Sequence, residues 1–147
     1  MKGDKGNQKV TICVIDGHGG GIGSVIVKRL KEVFQERIEI IALGTNSIAT
    51  AAMMKARANR GATGEHAITW MAMHADYIIG SFGIIMAHSM MGEVTPRMAE
   101  AIASSSAHKI LLPLSQEGVS IVGVTQQPLP HLIDDIISKE LQEVIDV

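Results

Sequence analysis

A chain of 147 residues holds one domain with a substantial core and has no room for two. Apolar residues make up 46%, which excludes disorder as the main state. Thirteen Lys and Arg against 15 Asp and Glu leave a net charge of -2, which excludes a basic field able to hold duplex nucleic acid.

In chain order, Met1 to Gln8 reads as a polar tail without the features of a signal peptide. Val10 to Ile15 is a short, nearly continuous apolar run, as expected of a strand buried on both faces, and it ends at Asp16. A glycine cluster follows. Ile22, Val25, Ile26, Leu30, Val33 and Phe34 then recur at helical spacing, with Lys28, Arg29, Lys31 and Glu32 on the other face. Ile38 to Leu43 predicts a second strand, closed by Gly44-Thr45-Asn46, and Ser47 to about Arg57 a helix.

Asn59 to Gly64 reads as a loop, Glu65 to His74 as a short helix, and Tyr77 to Ile79 as a third strand ended by Gly80-Ser81-Phe82-Gly83. The segment up to Gly92 fits either loop or helix. Thr95-Pro96 has the form of an N-cap with proline at the first helical position, opening a helix to about Ala107. Lys109 to Leu114 predicts a fourth strand and Val119 to Val124 a fifth. Only Ser115-Gln116-Glu117-Gly118 separates these two, too short for a parallel crossover, so the pair is expected to be antiparallel. Leu132, Ile133, Ile136, Ile137, Leu141, Val144 and Ile145 form the stripe of a last helix, with residues up to Asp146 on its wet face.

This alternation predicts an α/β chain: a single three-layer Rossmann-like sandwich over residues 1–147, its five-stranded sheet mostly parallel with one antiparallel edge. Such sheets bind ligands beyond the carboxyl ends of their strands, where the strand order reverses. Here those ends are Asp16-Gly17, Gly44-Thr45-Asn46, Gly80-Ser81 and Ser115-Gln116, and they are expected to converge.

Ala67 to Met91 is the most apolar stretch. His74, Asp76 and His88 interrupt it, and no run reaches the roughly 20 apolar residues of a membrane span. A mean hydropathy of +0.23 then points to apolar surface covered by another copy, so a homo-oligomer is expected. The lone Cys13 excludes a disulfide framework and fits a reducing cytoplasm.

The strongest functional signal is Asp16-Gly17-His18-Gly19-Gly20-Gly21-Ile22-Gly23, set between a strand and a helix. Glycines there let a phosphate approach the backbone, and the helix N-terminus adds free N–H groups and a positive dipole end. Gly17, Gly21 and Gly23 meet a G-x-x-x-G-x-G spacing, and the loop resembles the cofactor loop of short-chain dehydrogenases. That family's Tyr-x-x-x-Lys pair is absent, since Ser81 stands four residues after the only tyrosine, Tyr77. No carboxylate closes the second strand to hold a ribose 2′-hydroxyl. Gly44, Thr45 and Asn46 would tolerate a 2′-phosphate, which favours NADP over NAD if either binds. Asn46 or Ser47 equally serves as a cap for the next helix. Asp16 either holds the loop by accepting glycine N–H bonds or contacts a ribose, a metal or a substrate hydroxyl.

Gly61 to His66 is a second candidate for an anion, with Thr63 as an ordinary N-cap in the competing reading. The six histidines show no metal-binding spacing and Cys13 has no cysteine partner, so no metal is expected. His18 in the loop could donate to a phosphate, and His88 and Glu93 could form an acid/base pair. The nine methionines read as core or interface filler, and Ser104-Ser105-Ser106 lacks the context of a serine nucleophile.

Taken together, Val14-Ile15-Asp16-Gly17 with the glycines to Gly23, Ala42 to Asn46, Gly61 to Glu65 and Gly92 to Pro96 are similar to a family of short bacterial proteins known only as domain of unknown function 3842. The resemblance spans about residues 10–140. It implies a Rossmann-like fold and assigns no activity. Three functions stay open: a nucleotide- or dinucleotide-binding protein, a small isomerase or lyase on a phosphorylated metabolite with Asp16, His18, His88 or Glu93 as acid/base groups, and a non-catalytic oligomeric or partner-binding subunit.

Overall fold

The structure is a computed structural model that describes residues 9–114, 116 and 118–145. The tail to Gln8, Ser115, Glu117 and Asp146 lie outside the described residues. Five strands form one sheet: β1 (Val10–Asp16), β2 (Ile38–Gly44), β3 (Arg60–Thr63), β4 (Tyr77–Ser81) and β5 (His108–Leu112). Their order is β3-β2-β1-β4-β5, and every pairing is parallel. Residues Ile12 to Asp16 are buried throughout, as the absence of polar alternation in β1 requires.

The helices divide between two faces. α1 (Gly21–Phe34), α2 (Ser47–Lys55) and the C-terminal helix cover one. There Ile26, Leu30 and Phe34 of α1, Met53 of α2, and Ile133, Ile137 and Leu141 pack on Ile12, Val14, Ile40 and Ile79. The C-terminal helix starts as α5 (Leu129–Asp135), passes through a π-helical stretch at Ile136–Leu141 and ends as α6 (Gln142–Ile145). α3 (Glu65–Ala72) and α4 (Pro96–Ser104) cover the other face, burying Cys13, Ile15, Ile41, Leu43 and Ile78 under Ile68, Met98 and Ile102. Burial pushes the Cys13 thiol up to about 12, which leaves it a small apolar filler.

The predicted antiparallel edge is not there. Val119–Val124 forms no strand; a single antiparallel bridge joins Gln116 to Val119, and Val122 is 99% exposed. The fifth strand is instead β3, in the segment read as a loop. It is a short edge strand pairing Arg60 to Thr63 with Ile41 to Gly44. Its side chains are mostly exposed, so the sequence carries no apolar run to announce it. Thr63 is therefore a strand residue, its hydroxyl 2.7 Å from that of Thr50, and the N-cap of α3 is Gly64. Thr95 does cap α4, its Oγ1 accepting from the Met98 N–H at 3.2 Å with Pro96 following.

Candidate functional site

Because β1 and β4 are neighbours while the chain leaves β1 towards β2, the strand order reverses between them. The carboxyl ends of β1, β2 and β4 share one edge of the sheet there, the position where open α/β sheets take ligands.

Asp16 closes β1 and is only 5% exposed. Its Oδ1 accepts the Gly17 N–H at 2.8 Å and its Oδ2 the Gly23 N–H at 2.6 Å. Gly20, the N-cap residue of α1, has no side chain to cap the helix, and Asp16 reaches across from the strand to do it. Burial raises the Asp16 pKa; the N–H groups of Gly23, Gly17 and Ile22 and the nearby His18 oppose that. Asp16 thus holds the loop by accepting glycine N–H bonds, one of its two expected roles.

The loop glycines fall into two groups. A Cβ on Gly17 would stand 2.6 Å from Met90 Sδ and Thr45 Oγ1 and 2.8 Å from Glu93 Oε1. Gly20 is left-handed, at φ 74°, and its Cβ would meet the Ala49 carbonyl at 2.8 Å. Gly23 lies against Met53 and Asp16. Packing explains these three. Around Gly19 and Gly21, by contrast, a Cβ would find nothing within 4 Å, and neither has the left-handed backbone that favours glycine. Among the described residues the N–H groups of Gly19 and Gly21 have no hydrogen-bond acceptor.

At the end of β2, the Thr45 N–H donates to the Asp16 carbonyl at 3.0 Å. Asn46 caps α2, its Oδ1 accepting the Ala49 N–H at 2.9 Å, so its amide N–H2 faces the crest. There it donates to the His18 carbonyl at 3.0 Å and to Glu93 Oε2 at 2.9 Å. Glu93 Oε1 also accepts from Thr45 Oγ1 at 2.7 Å and from the His18 N–H at 3.0 Å. These bonds hold the Glu93 carboxyl below its ordinary value. The premise behind the NADP preference is corrected here. The sequence places no carboxylate on β2, but the turn before α4 delivers one to the same spot.

His18 joins this cluster through its backbone alone, and the remaining candidates lie outside it. Among the described residues no hydrogen bond joins Glu93 to the His88 ring, and His88 sits in an exposed left-handed turn at φ 72°. His18 is also exposed and left-handed, at φ 51°. Gly80 packs β4 on β1, with a Cβ there 2.8 Å from the Ile15 carbonyl, and Ser81 precedes a 3-10 turn at Phe82–Ile85. The Ser115 end lies outside the described residues, while Gln116 lines a cavity of about 260 Å³ with Phe82, Pro113, Leu114 and Ile121. No group of three or more His, Cys, Asp or Glu able to hold a metal occurs among the described residues. No helix among them is long and apolar enough to cross a membrane. Met90, set over Gly17, and Met53, against Gly23, are contributors that the sequence marks only as filler.

A family model described as domain of unknown function DUF3842 matches residues 11–145. No curated protein matches the sequence. Among solved structures, a universal stress protein in complex with cAMP aligns with 71% of this chain and 98% of its own, at 16% identity and a TM-score of 0.41. Likeness of that degree says nothing about a ligand here.

Proposed function

The chain belongs to the DUF3842 family, a domain family of unknown function, and we propose that it binds a nucleotide or dinucleotide at the crest between β1 and β4. The ligand's phosphate lies over Gly19 to Gly21, at the N-terminus of the 14-residue helix α1. Thr45 and Asn46 face its sugar or the group that the sugar carries. One observation carries this reading: Gly19 and Gly21 have neither a packing nor a backbone reason to be glycine, and both keep a free N–H among the described residues. A close-approaching anion outside the chain supplies that reason.

Thermal denaturation with NADP, NAD and ATP tests it. Ligand at about 100 times its dissociation constant stabilises by roughly 2.7 kcal/mol, which for a chain of this size raises the melting temperature by about 5 °C or more. Gly21→Ala is expected to fold and to lose that shift. No shift with any of the three at millimolar concentration removes the proposal. NADP stays in the panel without preference, because Glu93 already takes the Thr45 hydroxyl that a 2′-phosphate would need.

A second reading concerns assembly. Trp70 and Met73 stand 53% and 64% exposed on the face of α3 and α4. They border a groove of about 540 Å³ with His66, Arg97 and Ala101. A homo-oligomer formed through this face in the cytoplasm hides that apolar surface.

A further inference from the structure

Three donors meet on one point beside the glycine loop: the His18 N–H, the Thr45 hydroxyl and the Asn46 amide, at 3.0, 2.7 and 2.9 Å from the Glu93 carboxylate. Each of the three residues is held by a contact other than Glu93. Asn46 is oriented by its bond to Ala49. Thr45 is tied to Asp16 through its N–H. His18 is set by the left-handed start of a turn closed by the Gly20 N–H on the Gly17 carbonyl at 2.9 Å. The geometry is that of an anion site whose walls are the loop after β1 and the turn from β2 into α2.

Its occupant comes from elsewhere. Glu93 ends a turn after Met86 that is closed on itself, with the His88 N–H on the Val94 carbonyl and the Gly92 N–H on the His88 carbonyl. His88, Met90, Met91 and Gly92 are all left-handed, and Met91 is 94% exposed. Occupant and walls are therefore separate parts of the fold.

We propose that His18, Thr45 and Asn46 form a second anion seat, filled in the unliganded chain by Glu93 and taken by an anionic group of the ligand when that turn lifts. Combined with the glycine loop, and so resting on the reading above, this names the ligand class: a small molecule with two anionic groups, two phosphates or a phosphate and a carboxylate.

The test is chemical rescue in Glu93→Ala. Its melting temperature is compared with wild type in chloride, acetate and inorganic phosphate at matched ionic strength. The variant is expected to melt lower in chloride and to regain several degrees in acetate or phosphate, a gain that wild type and the Thr45→Val/Glu93→Ala double variant do not show. An equal response in all three proteins overturns the seat. Should Glu93→Ala not fold, Glu93→Gln keeps the shape with a weaker acceptor, and its affinity for pyrophosphate is expected to rise roughly tenfold over wild type; an unchanged affinity overturns the seat. Rescue without any nucleotide binding removes the glycine-loop reading and leaves the seat standing. Nucleotide binding without rescue does the reverse.

Discussion

At Gly20 and Gly21, adjacent residues of one sequence pattern answer to different causes. Gly20 is left-handed and backs onto α2, so Gly20→Ala is expected to cost about 2 kcal/mol or more in urea denaturation. Gly21 opens α1 with free space around it, and Gly21→Ala is expected to leave stability unchanged or raise it by about 0.4–1 kcal/mol. Equal losses at the two positions would show that Gly21 is needed by the fold itself. Glu93 carries a second residue-scale consequence. Its folded pKa lies below the ordinary 4.5, so between the two values the unfolded chain binds more protons than the native one. Stability from Glu93 is present above pH 4.5 and is lost as pH falls through the folded pKa. Acid titration of the melting temperature is expected to show a shallower acid limb in Glu93→Gln than in wild type. The sequence could flag Asp16 and the glycines, because the loop, strand end and helix start are contiguous. It points to Glu93 as an acid/base group, paired with His88, and not as the occupant of a donor cluster. The true partners, His18, Thr45 and Asn46, lie 47 to 75 positions away and meet it only through the sheet.

At the scale of elements, what the sequence makes legible depends on burial. β1 and β2 are apolar because both faces are covered, and the matching expectations follow from Val10 to Ile15 and Ile38 to Leu43. β3 needs a partner on one side only, and Arg60-Gly61-Ala62-Thr63 hides its strand behind a loop-like composition. Val119 to Val124 shows the opposite error. β-branched residues announce a strand, yet Ile121 and Val124 are part-exposed and Val122 fully so, and no neighbouring strand receives them. Propensity without a partner makes no sheet. Val122→Asp is accordingly expected to change stability by no more than about 0.5 kcal/mol in urea denaturation. A loss of several times that would mean the segment is packed in a way its exposure does not show.

For the whole molecule, the two helical layers are unlike each other. One closes over the sheet with α1, α2 and the C-terminal helix, and its large apolar residues from Ile26 to Leu141 are inside. The other is built among the described residues mainly from α3 and α4, and it leaves the chain's single tryptophan, Trp70, half in water between His66 and His74. A monomer keeps this patch wet at a free-energy cost set by its area; a second copy removes it. Because Trp70 is the sole tryptophan, its emission reports on that face alone. Dilution of the wild-type protein is expected to shift the emission to longer wavelength as subunits separate, in step with falling mass by light scattering. Met73→Asp, on the same face and 64% exposed in the single chain, is expected to fold normally, stay monomeric and show red-shifted emission at every concentration. A wild-type protein that is monomeric at micromolar concentration, with emission independent of dilution, rules out assembly through α3 and α4.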